Sequence, residues 1–191
     1  LEEDAVLPYA RFLLPAACAL LLASCGGAPK KAGRPKIQSK SSAGRSVNAA
    51  AGDDALIAAA ERQSSGKARA VLEQARKMTL FERVIVKGGC WDYLDLVFTR
   101  AGVPRNSRQT VHKGSLKGGP YADSSQIRPG DWLYYVNHDY RGNEHSGLFV
   151  GWVDEARRQG LVLSYAGENR REPARYKVYD LSSVYTIIRA P

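Results

Sequence analysis

The chain reads as an α+β domain in which helices come first and an antiparallel sheet of about five strands follows. Two observations carry this. Apolar residues recur at helical spacing as far as about residue 101, and beyond residue 130 the period gives way to short segments rich in Val, Tyr, Ile and Trp. Turn signals separate those segments: Pro129-Gly130, Arg141-Gly142-Asn143, Gln159-Gly160 and Glu172-Pro173. With 191 residues, 44% of them hydrophobic, there is material for one domain of ordinary size with appendages.

The appendages come first in the chain. Residues 12–24 form one apolar run led by Arg11, shorter than the ~20 residues a membrane-spanning helix needs. Its length and small-residue ending match the apolar core and cleavage zone of an export signal. The run ends Leu22-Ala23-Ser24-Cys25-Gly26, the pattern of a bacterial lipobox, in which small side chains admit the peptidase and the thiol receives the lipid. Residues 1–25 are therefore expected to be a lipoprotein signal peptide, with Cys25 as the lipidated residue and the membrane of the bacterial cell envelope as destination. Leu1-Glu2-Glu3-Asp4 is acidic where a basic start is usual, so the working signal is expected to begin near Arg11.

Residues 26–52 carry Lys30, Lys31, Arg34, Lys36, Lys40 and Arg45 without one acid, among Gly, Pro, Ser and Ala. No apolar period runs through them, and a disordered basic linker is the expectation. Much of the formal net charge of +9 sits in this segment. A nucleic-acid-binding domain carries its charge in the folded part among aromatic residues, so no nucleic-acid partner is expected. Anionic lipid or acidic wall polymer suits the linker better.

The folded domain is expected over residues 53–191. Asp53 and Asp54 offer N-cap chemistry to a first helix through Ala60, and Ser64-Ser65-Gly66 interrupts it. Ala68, Val71, Leu72, Ala75 and Met78 give a second helix, from about Lys67 to Met78, one apolar face. In the third, Cys90, Leu94, Val97, Phe98 and Ala101 form a stripe, Gly102 ends the helix and Pro104 bars its resumption. Strands are predicted at 131–137, 145–153, 160–166, 175–180 and 184–189.

Of the three cysteines, only Cys90 falls in this domain, which excludes a disulfide scaffold. Cys90 follows Gly88 and Gly89 at a helix start, where unpaired backbone N–H groups favour a thiolate. A thiolate nucleophile needs a histidine partner. His112 reads as part of a polar loop and His138 as part of a turn, whereas His145 opens a strand carrying Gly147 and Gly151. Cys90 with His138 or His145 lacks any metal-site spacing, so no metal is expected.

A helix-borne cysteine, then Pro129-Gly130-Asp131 opening a strand, then His145-Ser146-Gly147-Leu148-Phe149-Val150-Gly151 resembles the NlpC-type cell-wall endopeptidases, a family of papain-like cysteine peptidases. The likeness spans about Gly88 to Ala166. It implies a papain-like fold with Cys90 as nucleophile, His145 as base and a third polar residue on the next strand. Tyr165 takes that third place by alignment; Asn169 suits it by chemistry, since its amide oxygen accepts an imidazole N–H. Gly89 before the cysteine and Trp91-Asp92 after it depart from the family's Asp and Ser-Gly.

The resemblance further implies a thiol peptidase that cleaves an amide in peptidoglycan peptides, between D-glutamate and a diamino acid. Such a pair of residues needs no cofactor. Two other readings fit the residues: a catalytically inactive wall-binding lipoprotein of the same fold, and a related acyltransferase or amidase.

Overall fold

Successive residues of a strand face opposite sides of its sheet, and here the central strands are covered on both sides, so they read as apolar runs, while the outermost strands keep exposed residues. The computed structural model describes residues 43–191; the signal, Cys25 and the linker as far as residue 42 lie outside the described residues. The strands are β1 (Gln109–Lys113), β2 (Trp132–Asn137), β3 (Asn143–Asp154), β4 (Gln159–Ser164), β5 (Arg175–Asp180) and β6 (Val184–Arg189). They form one antiparallel sheet in the order β1-β6-β2-β3-β4-β5. The fold is α+β, with three α-helices before the sheet among the described residues.

Helix α1 (Ala43–Gln63) begins ten residues earlier than expected, so Asp53 and Asp54 lie inside it and cap nothing. Ala49, Ala50 and Ala51 explain the extension, because alanine has the highest helix propensity and offsets the ~1 kcal/mol cost of Gly52. The linker's last ten residues are thus helical. The break at Ser64-Ser65 is present, with Ser65 extended ahead of helix α2 (Gly66–Arg76), which runs on into a wider turn over Lys77–Phe81. Helix α3 (Cys90–Arg100) buries Tyr93, Leu94, Val97 and Phe98.

The helices cover one face of the sheet. Trp132, Leu148, Val150, Leu161 and Leu163 meet Val71, Leu72, Met78, Leu94 and Phe98 there. Each large apolar side chain so buried contributes about 1.5–3 kcal/mol. On the opposite face Leu133, Tyr135, Phe149, Val162 and Ile187 pack with Ala122 and Ile127 from the connection between β1 and β2.

Strand β1 is the element missing from the sequence reading. It places His112 in a strand and not a loop, at the sheet edge beside β6. Four of its five residues are exposed, so it has no apolar period to betray it.

Asp131, third residue of the Pro-Gly-Asp segment, has a structural task. Its buried carboxylate accepts two bonds from Arg189, at 2.8 and 2.7 Å, and one from the Arg128 N–H at 2.8 Å. Burial pushes this carboxyl up and the Arg189 guanidinium opposes that push. The pair fastens the start of β2 to the end of β6.

Candidate active site

The cysteine stands where helix geometry leaves donors unused. Gly89 is the extended N-cap of α3, and its N–H goes to Asp92 Oδ2 at 2.7 Å. The N–H groups of Cys90 and Trp91, in the first turn, have no acceptor within the helix. Asp92, one of the departures from the family pattern, is therefore the residue that closes the helix start. Gly88 has φ +105° and a Cβ there would collide with the Asp92 carboxylate, so only glycine fits. A Cβ at Gly89 would meet nothing within 4 Å, which leaves the approach to Cys90 open.

Two contacts from beyond β4 hold the segment ahead of Cys90. Tyr165 is buried, stacks on Tyr93 at 4.8 Å, accepts from the Val86 N–H at 3.1 Å and donates to the Val86 carbonyl at 2.7 Å. The Glu168 N–H donates to the Gly88 carbonyl at 3.0 Å.

His145 comes to the site from β3. Its Nε2 lies 2.8 Å from Ser164 Oγ, which in turn accepts from the Tyr179 hydroxyl at 3.0 Å. The imidazole is flanked by the rings of Tyr135, edge-on at 5.6 Å, and Tyr179, at 5.9 Å. With Nε2 engaged by Ser164, Nδ1 is the nitrogen left for the thiol. Burial pushes the Cys90 thiol up, but hydrogen bonding to His145 and Ser146 and the charge of His145 outweigh it and bring the thiol down to about 7. Ser146 Oγ is buried and, the thiol apart, has no partner among the described residues, so its O–H is left to Cys90.

The structure thus brings Cys90 and His145 together. It corrects the third residue. Tyr165 faces the helices and pins Val86, and Asn169 is exposed in a short 3-10 turn (Glu168–Arg170) with no described bond to His145. The partner is Ser164, one residue from the aligned position. The register Leu148↔Leu163 and Phe149↔Val162 puts Ser164 on the face that holds Gly147 and His145. Gly147 is required there: a Cβ would press into Val162 Cγ1 and lie 3.0 Å from the Leu163 carbonyl.

His138 and His112 are elsewhere, bonded to Ser183 Oγ and the Pro120 carbonyl, both at 3.0 Å. Among the described residues no group of three or more His, Cys, Asp or Glu is placed to hold a metal ion.

No family model, curated protein or solved structure matches the chain.

Beside His145 opens a polar cavity of about 430 Å³, lined by Asn137, Glu144, Ser164, Arg170, Arg175 and Lys177 among others. On the helix face Trp91 is half-exposed, with the Arg105 guanidinium stacked over it at 4.7 Å. Arg105 is held there by two bonds to Asp95, at 2.9 and 2.8 Å.

Sequence reasoning also missed Ser146, Tyr135 and Tyr179. Tyr135 and Tyr179 are core aromatics in sequence, and only their register beside His145 distinguishes them. Ser146, as neighbour of the histidine, carried no signal of its own.

Proposed function

We propose that the protein is a cysteine hydrolase that cleaves an amide bond in peptidoglycan peptides, anchored to a membrane of the cell envelope through Cys25. The observation that carries the reading is a thiol at a helix N-terminus, brought down to about 7 by an imidazole that is itself held on its far nitrogen. The peptide part of the wall as substrate rests on the resemblance of residues 88–166 to NlpC-type endopeptidases and on the lipobox.

In this reading Nδ1 of His145 takes the Cys90 proton and Nε2–H donates to Ser164 Oγ, so the imidazolium is held at both ends. The thiolate attacks the amide carbonyl and an S–C bond forms. The oxyanion is positioned for the free N–H groups of Cys90 and Trp91, since the Gly89 N–H is already taken. The C–N bond breaks as His145 returns its proton to the departing amine. Water, deprotonated by the same imidazole, then adds to the thioester, and the S–C bond breaks to release the acid and restore the thiol.

The test follows defined wall peptides by mass spectrometry with the purified chain and its Cys90→Ala variant. Cleavage by the parent alone is expected and identifies the bond. Cleavage by both, or a Cys90 inert to alkylation with no cleavage by either, refutes the reading; the latter result favours a wall-binding protein of the same fold.

A further inference from the structure

We propose that Arg170 and Arg175 form an anion subsite that binds a free carboxylate on the departing, amine-bearing half of the substrate; this rests on the hydrolase reading. The cavity that holds them is contiguous with His145 and Ser164, while Cys90 is not among its lining residues. In acyl transfer the imidazole hands its proton to the leaving nitrogen, so the leaving half lies on the imidazole side of the scissile bond. The cavity is on that side. Its volume falls within the range of small-ligand sites.

The charges there do not cancel internally. Lys177 pairs with Asp139 at 3.8 Å, and Glu144 accepts from the Tyr185 hydroxyl and is in no ion pair among the described residues, so the lining holds three cations against two carboxylates. Asp139 and Glu144 are the acids of the lining. Arg170 and Arg175 line the same space, are exposed, and have no ion-pair partner among the described residues. Two guanidiniums left free beside a base suit a carboxylate, which a planar fork binds with two parallel hydrogen bonds.

Their placement is held by the fold. Arg170 stands in the 3-10 turn whose first residue, Glu168, is bonded to the Gly88 carbonyl just ahead of the nucleophile. Arg175 opens β5 opposite Ser164, the residue that holds the imidazole. Both arginines are therefore tied to the two halves of the reactive pair. A leaving amino acid with a side-chain carboxylate fits this arrangement, and one ending in a plain ammonium does not.

Two γ-D-glutamyl dipeptide amides supply the probe, one ending in diaminopimelate and one in lysine, so that they differ in the side-chain carboxylate. The parent chain is expected to favour the diaminopimelate peptide in kcat/KM by roughly 10- to 100-fold, as a charge-assisted pair is worth. Arg170→Gln and Arg175→Gln bring the ratio towards one. Arg157→Gln, an exposed arginine outside the cavity, leaves it unchanged. Equal use of both peptides by the parent, or a ratio that survives both substitutions, overturns the subsite and leaves the hydrolase standing. Calorimetric binding of free diaminopimelate, lost in Arg170→Gln, with neither peptide cleaved, upholds the subsite and refutes the hydrolase. Neither binding nor cleavage refutes both.

Discussion

Ser164 Oγ lies 2.8 Å from His145 Nε2 and so decides which imidazole nitrogen is left for Cys90. A hydroxyl can accept two hydrogen bonds, and Ser164 has Tyr179 and His145 placed to supply them. Unlike a carboxylate it brings no charge. It orients the imidazole without opposing the deprotonation of a thiol whose own ionisation needs a cationic neighbour.

Replacing Ser164 by Ala is expected to slow alkylation of Cys90 at pH 7 by roughly 5- to 10-fold, the value of one neutral hydrogen bond. The same change strands the buried Tyr179 hydroxyl and costs about 1–3 kcal/mol of stability. Rates with iodoacetamide and a urea melt measure the two effects. An unchanged rate would remove Ser164 from the site.

The pH profile has a defined sign. The thiol sits at about 7 in the fold and at ~8.5 when free, so thiolate is lost as pH falls through 7, along with the stability its interactions confer above the free value. Alkylation of Cys90 is expected to reach half its limiting rate near pH 7. In His145→Ala, burial acts without its main opponent, and the midpoint rises to 8.5 or above. A midpoint that stays at 7 in that variant would show that His145 does not hold the thiolate.

Gly147→Ala is expected to destabilise the fold by about 1–3 kcal/mol through overpacking against Val162 and the Leu163 carbonyl. Because relief requires β4 to move, the Ser164 bond to His145 loosens too. A thermal melt lower by several degrees together with slower Cys90 alkylation is the expected pair of results.

Arg189→Met leaves the Asp131 carboxylate buried without its partner, and a loss of about 3–5 kcal/mol is expected. The double variant Asp131→Asn with Arg189→Met removes the stranded charge and should recover part of that loss in a urea titration. No recovery would mean that Arg189 stabilises through packing alone.

Much of this was legible from residues. The helical stripe of α3 and the turn signals after residue 130 marked out three helices and five of the six strands. The order cysteine on a helix, histidine on a strand, singled out Cys90 and His145 from all other polar residues. Ser164 was not legible, because Val162, Leu163 and Ser164 close a strand buried on both faces and Tyr165 just after it is buried too, so alternation cannot say which residue looks which way. Only the register with β3 separates Ser164 from Tyr165. Strand β1 was hidden for the opposite reason: its side chains are mostly in water, and backbone pairing with β6 is what defines it.

Strand β6 comes last in sequence yet lies between β1 and β2. A chain synthesised from its N-terminus presents Cys90 and His145 long before residues 184–189 follow. Until then β1 has no neighbour to pair with and Asp131 no guanidinium. The last strand to arrive is the keystone of that edge of the sheet, so two of the six strands join in a single late step, after β2, β3, β4 and β5 are already available to pair.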